Sequence, residues 1–285
     1  MTTGTAPPRA PLSPARRWVL AVGVVLSVLA IAWGVLSLVN VLGRTSEDRT
    51  TTLPATGGQL VVASSGGGIR IAVGDVSDIR VVTHLEYGLS RPTLRQESGP
   101  DGVHLDASCR WFNSFCSVDY DITVPSGLAV KAESSGGSIT IRGVSGNIDT
   151  RSSGGSITVS DASGDVRARS SGGSVTVNSA TGTVDLDSSG GSVEGTELRG
   201  DARAESSGGS VRLSFDTPPR SVRANSSGGR VEVRVPRVDG GYRVDASSSG
   251  GRQIVEVPTD PASSRQITVR SSGGDARVLL TDAAR

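Results

Sequence analysis

Large side chains are scarce in this chain: three Trp, three Tyr and three Phe make up 3 % of 285 residues, and Lys131 is the one lysine among 29 basic groups. Aromatic rings bury the most area per side chain. Their scarcity argues against the thick core of a compact enzyme and favours architectures that stack small or β-branched residues. Excess charge is missing too. With 29 basic against 28 acidic groups, there is no chain-wide positive field of the kind nucleic-acid binding rests on. Two cysteines and two histidines, His84 and His104, are too few and too scattered for a zinc site. The chain carries no GxSxG, HExxH or GxxxxGK[ST] motif, and no convergent carboxylates are apparent, so neither an enzyme nor a cofactor is expected.

Charge is absent altogether from Trp18 to Leu42, a run of 25 residues that would span about 37 Å as a helix, enough to cross a bilayer. It is too long for a signal-peptide core and lacks a small-residue cleavage site. Arg9, Arg16 and Arg17 precede it without acidic residues, whereas Arg44 and Arg49 follow it together with Glu47 and Asp48. That bias places the N-terminus inside the cytoplasmic membrane. The expected order is a disordered tail (1–17), a transmembrane helix (18–42), a linker (43–57), an irregular β cap (58–127) and regular repeats (128–285). LPATG at Leu53 to Gly57 matches a sortase pentapeptide but follows the hydrophobic run instead of preceding one, so it reads as linker.

Beyond the membrane disulfides persist, and Cys109 and Cys116 both lie there, so they are expected to pair. Trp111, Phe112, Phe115 and Tyr120 fall in or beside that loop. Two readings stand for them: an apolar lid on the first coil, or an exposed tip that contacts a partner.

What the chain has in quantity is glycine, 38 residues, much of it in the tetrapeptide SSGG starting at Ser64, Ser134, Ser152, Ser170, Ser188, Ser206, Ser226, Ser248 and Ser271. From Ser134 to Ser206 the spacing is 18 residues four times running, the mark of a stacked repeat. Each unit reads strand, turn, strand, turn. The predicted fold is all-β: a β-solenoid of two-strand coils of about 18 residues. About eight regular coils at ~4.8 Å each give a stack roughly 38 Å long.

Counting from each SSGG start exposes the columns. Four residues before it stand Val130, Ile148, Val166, Val184, Ala202, Val222, Val244 and Ile267; the fifth position after it gives Ile139, Ile157, Val175, Val193, Val211 and Val231. These point inward. Three before it stand Lys131, Asp149, Arg167, Asp185, Arg203, Arg223, Asp245 and Thr268, an outward column whose sign alternates for five coils. The glycine pairs are expected to supply positive φ, and the serines to form hydroxyl ladders. Ser138, Thr140, Ser156, Thr158, Ser174 and Thr176 form an outward hydroxyl row, read as a solvated face. Inserted corners follow Phe215, Val235 and Val257.

A strand ending DITVP (Asp121 to Pro125), followed by SSGGSI and SGNI-type units, resembles the bacterial membrane-anchored β-strand-repeat proteins called "putative adhesin", a domain of unknown function. The resemblance covers about residues 58 to 285. It implies a stacked β fold at the cell envelope and brings no catalytic residues. The expected role is a non-catalytic structural or adhesive ectodomain. Its expected partners are the bilayer through residues 18–42, a cell-surface protein or glycan, and a second copy pairing on the last coil (Arg277 to Thr281). A sensory or regulatory ectodomain of an envelope-stress system and a self-assembling scaffold are the competing readings.

Overall fold

Parallel strands stack in register wherever the repeat is regular. The computed structural model describes residues 14–42, 45–88, 90–109 and 116–281, with helix side chains described at 18, 20 and 22–35. An α-helix runs Pro14–Leu42. Among the described residues no helix is long and apolar enough to cross a membrane, so the span expected over 18–42 is not shown.

Among the described residues the strands form one 12-stranded and one 11-stranded sheet. Strands running into the SSGG corner (Ala129–Ser134, Ile148–Ser152, Val166–Ser170, Val184–Ser188, Ala202–Ser206, Ser221–Ser226) build the upstream sheet. Strands leaving it (Ile139–Arg142, Ile157–Ala162, Val175–Ala180, Val193–Leu198, Val211–Phe215, Val231–Val235) build the downstream sheet. The pairing is the columnar one: Ile148 beside Val166, Thr150 beside Ala168, Ile157 beside Val175. Period-2 alternation then puts valine, isoleucine and alanine between the sheets, where they are almost wholly buried.

The corners hold the coils together differently from the sequence expectation. The first serine of each SSGG but that of the outermost coil, Ser248, is buried. Ser188 Oγ accepts the N–H of Gly191 at 2.9 Å and donates to the carbonyl of Gly173, one coil back, at 2.8 Å. Ser152, Ser170, Ser206, Ser226 and Ser271 repeat this pair of bonds. The hydroxyls therefore bridge backbone to backbone and do not form a hydroxyl ladder. Nor do the corner glycines supply positive φ: among the described glycines it occurs at Gly57, Gly58, Gly102, Gly127, Gly143, Gly240 and Gly241. Glycine is needed for approach, since a Cβ on Gly191 would lie 2.6 Å from the carbonyl carbon of Gly173.

Both ends of the stack depart from sequence order. At the C-terminal end Gln266–Ser271 pairs with Ser221–Ser226 on one side and Arg243–Ser248 on the other. In the facing sheet Ala276–Leu280 lies between Val231–Val235 and Gln253–Val255. The last repeat is thus inserted inside the one before it. The open edge expected at Arg277 to Thr281 belongs instead to residues 243–255. Two side chains show why. Gln253 falls in an inward column and stays exposed only in the outermost coil. Asp275 comes to lie between Arg230 and Arg252, which sequence order would have set side by side. It accepts the N–H of Arg252 at 3.0 Å and pairs with Arg277 at 2.6 Å. These donors hold its carboxyl well down, at about 2.

The N-terminal end mirrors this. Gln59–Ser64 lies between Ala129–Ser134 and Gly102–Ser108, and Ile69–Val73 between Ile139–Arg142 and Cys116–Val124. Antiparallel strands close that end: Thr93–Gly99 along Gly102–Ser108, Ile79–Tyr87 along Cys116–Val124, and Thr45–Leu53 along Ile79–Tyr87. The stretch read as a linker, 43–57, therefore contains an edge strand. LPATG is packed as well, with Leu53 against the core and Thr56 Oγ1 donating to the Gly99 carbonyl at 3.0 Å.

Two substitutions test this account. Ser188→Ala strands a buried N–H and a carbonyl, and should destabilise the stack by about 1–3 kcal/mol, read as a lower urea midpoint. Asp161, Ser179 and Glu197 occupy one stacked bulge position with φ of 57°, 59° and 54°. Left-handed backbone costs a non-glycine residue about 1–2 kcal/mol, partly offset by the entropy cost of glycine. Glu197→Gly should therefore raise the same midpoint slightly.

Candidate contact surfaces

Cys109 and Cys116 form the expected disulfide, with Cα atoms 6.0 Å apart. It joins the end of one strand to the start of the next, and the Cys109 N–H is anchored to Ser65 Oγ at 3.0 Å. Trp111, Phe112 and Phe115 lie outside the described residues. Tyr120 does not belong to a contact surface: alternation along Cys116–Val124 turns Val118, Tyr120, Ile122 and Val124 inward, and Tyr120 is fully buried. Burial pushes its phenol pKa up.

The inserted corners pack against one another. Phe215 and Val235 are buried. Tyr242, also buried, donates to the Pro236 carbonyl at 2.7 Å, and Arg265 donates to the carbonyls of Pro218 and Pro219 at 2.7 and 3.2 Å. They close a corner of the stack more than they present free loops.

The outer face of the upstream sheet carries the alternating ladder. Asp185 gathers Arg167, Arg169 and Arg203 at 3.2, 3.3 and 3.9 Å. Lys131 pairs with Glu133 at 3.1 Å, Arg203 with Glu205 at 2.7 Å and Arg270 with Asp245 at 3.1 Å. Each exposed pair contributes little alone, but together they satisfy most of the face from within. Thr268, expected in this water-facing column, is buried, because the inserted last repeat seats it between Arg223 and Asp245.

The outer face of the downstream sheet is different. Thr140, Thr158 and Thr176 line up in register, half-buried, with Ser160, Asn178 and Thr196 beside them. At its N-terminal end the face meets a depression of ≈ 610 Å³ lined by Arg70, Arg80, Arg142 and Asp121 over a floor of Ala72 and Thr123. Next to it stands His84, which no motif in the sequence marks. Its Nδ1 lies 2.8 Å from Asp48 and its Nε2 3.2 Å from Asp121, joining three strands. No spacing rule reveals this, since the three residues meet only through antiparallel register. Among the described residues no three His, Cys, Asp or Glu side chains group as metal ligands.

The Toastrack DUF4097 family model matches residues 59–281. A solved "putative adhesin" from Parabacteroides distasonis ATCC 8503 superposes with a TM-score of 0.52 at 13 % identity, covering 83 % of this chain and 97 % of its own. A "putative adhesin" from Bacteroides fragilis NCTC 9343 gives 0.50 at 14 % identity, with the same 83 % and 97 % coverage. At these identities the likeness is one of fold. No curated protein matches the chain.

The hydrogen bond to Asp48, then the nearby negative charges of Asp48 and Asp121, raise the His84 pKa above 6.5. Asp48 faces it from the edge strand, Asp119 and Asp121 from the inner neighbour, and Glu86 lies on its own strand, with Arg70 balancing Asp121. The folded state favours the imidazolium, so its contribution is full below the unfolded pKa and is lost as pH rises through the folded one. The stability difference between the native chain and His84→Gln should shrink from mildly acidic to alkaline pH in parallel denaturation curves.

Proposed function

The chain belongs to the Toastrack DUF4097 family, and from that premise we propose that it is a non-catalytic cell-envelope protein whose β stack works as a structural or adhesive ectodomain. In this reading the helix over 18–42 anchors it in the cytoplasmic membrane with the N-terminus inside, and residues from 43 onward lie outside. The Cys109–Cys116 disulfide carries the reading, because such bonds persist in oxidising compartments. The uncharged run and the arginines before it support the anchor. Trp111, Phe112 and Phe115, inside the disulfide loop, are proposed partner contacts. The fold likeness to proteins named as adhesins is in keeping with a surface role.

One observation favours a sensory variant. The edge strand starting at Thr45 follows the helix end at Leu42 closely and is clasped by a titratable histidine, so changes outside would reach the membrane segment through few residues. A self-assembling scaffold would use the edge at 243–255.

Single cysteines introduced in a chain lacking Cys109 and Cys116 test the topology. On intact cells a membrane-impermeant maleimide should label Ser227→Cys and spare Thr3→Cys. The opposite pattern would overturn the orientation, and equal protection of both sites would place the stack inside the cell.

A further inference from the structure

The two outer faces of the stack differ in how their charges are used. On the upstream face Arg151, Arg167, Arg169 and Arg203 stand in ion pairs, and Arg223 is the exposed exception in the same column. On the downstream face, among the described residues, neither the Arg80 nor the Arg142 side chain has an ion-pair or hydrogen-bond partner, and both are exposed. They are far apart in sequence, yet the register puts Arg80, Thr123, Ala72 and Arg142 in one row across four adjacent strands. At ~4.8 Å per strand the two arginine Cα atoms stand about 14 Å apart, with only a threonine and an alanine between them. Two long cationic side chains therefore flank a low floor. Arg70 rises from the next row with Asp121 at 3.2 Å, and Asp121 also faces His84. Three positive groups against one shared carboxylate leave this depression locally cationic in a chain of net charge +1.

From that depression two rows of the face continue without charge, with the exposed Asp161 beside them at the bulge. Thr140 borders the depression, and Thr158, Thr176, Ser160 and Asn178 extend the rows coil by coil until Glu194 and Arg212. A ligand charged along its whole length would meet arginine at one end only and would lose its hydration over uncharged hydroxyls. A polymer rich in hydroxyls, carrying an acidic group at intervals, matches both parts. Guanidinium groups take its carboxylate through charge-assisted hydrogen bonds, and the threonine row exchanges hydrogen bonds with its hydroxyls.

We propose that the downstream face is a binding track for an acidic polysaccharide, with Arg80, Arg142 and Arg70 receiving a sugar carboxylate and the Thr140–Thr158–Thr176 row carrying the adjoining residues. This rests on the adhesive reading above and names its ligand class. It differs from the Trp111 loop, which lies on other residues.

The test uses the full chain in nanodiscs of zwitterionic lipid, with polygalacturonate as probe, dextran as the uncharged comparison and phosphatidylglycerol vesicles as the competing anionic surface. Polygalacturonate should bind and dextran should not. The double variant Arg80→Gln/Arg142→Gln should weaken that binding at least tenfold with an unchanged melting curve, and Arg167→Gln/Arg169→Gln on the other face should leave it alone. Thr158→Val/Thr176→Val should weaken it several-fold without altering its salt dependence, a readout a purely electrostatic patch would not give. Equal losses from both arginine pairs, no binding by the native chain, or capture of vesicles alone would overturn the proposal. Retention of nanodisc-coated beads on bacterial cells separates the two levels. Retention that survives the Arg80/Arg142 change sinks the track and spares the adhesive role, whereas no retention by the native chain sinks that role as well.

Discussion

Everything in this stack depends on how closely one SSGG corner can sit upon the next. Two constraints act there. The second glycine must lack a Cβ, because the backbone of the preceding coil occupies that space. The first serine must carry a hydroxyl, because it satisfies a buried N–H in its own corner and a carbonyl in the corner before. Buried backbone groups left without partners are costly, and the serine answers two of them per coil with one small side chain. With corner spacing fixed in this way, the strands on either side fall into parallel register, and identical positions meet in files. A thin core of valine, isoleucine and alanine then suffices, which is why the chain has so little use for aromatic residues.

The same constraint limits what happens at the ends. A repetitive stack has no internal reason to stop, and its terminal coils expose both backbone edges and core. This chain meets the difficulty by leaving sequence order at both ends. At the N-terminal side the coil holding residues 102–124 lies outside the one holding 59–73, and antiparallel strands lie beyond it. At the C-terminal side the final repeat slips inside its predecessor. The outermost position then goes to the coil with an inward-column glutamine and a downstream strand of only three residues, Gln253–Val255. A short strand with a polar residue turned toward the core is a poor template for further pairing.

Much of this was legible in the sequence, for a physical reason. A repeat writes its geometry as spacing, so the columns of Val130 to Ile267 and Ile139 to Val231 could be read before any coordinates. The alternating charges followed from the same count. What spacing could not convey was the order in which coils stack, since parallel coils of similar sequence fit in more than one order. The signals were nonetheless present: Gln253 in an apolar column, and Arg230 and Arg252 as consecutive members of another with Asp275 to come. The serine bridges do not show in the sequence, because hydroxyls in a glycine turn suggest exposure and only three-dimensional stacking buries them. Tyr120 stands beside the disulfide loop in sequence, but strand alternation turns it inward with Val118 and Ile122. The arginine depression and the His84 clasp escaped for another reason. They lie in the antiparallel and reordered end, where residues meet that no single period relates.

The unequal treatment of the two outer faces deserves a physical explanation, because both are built from the same repeat. In-register parallel stacking brings each outward residue beside its own equivalent, so a charged column is tolerable only if neighbouring coils change sign or a second column supplies counter-charge. The upstream face does both over most of its length, and most of its arginines and carboxylates pair with one another, Arg223 beside Arg203 being the exception. The downstream face avoids the problem over its middle coils with threonine, serine and asparagine, which stack on themselves without repulsion. Rows neutral by composition need no ion pairs within them and keep most of their hydrogen-bonding groups available to solvent or ligand, although Thr196 donates to Asn178 and Asp161 stands at the bulge beside them. Arg80 and Arg142 fit that logic, since the two strands between them carry Thr123 and Ala72 in their row and neither cation repels a neighbour. Their lack of a partner is therefore a property of the register, and it leaves the cationic depression continuous with the uncharged threonine row instead of neutralised within it.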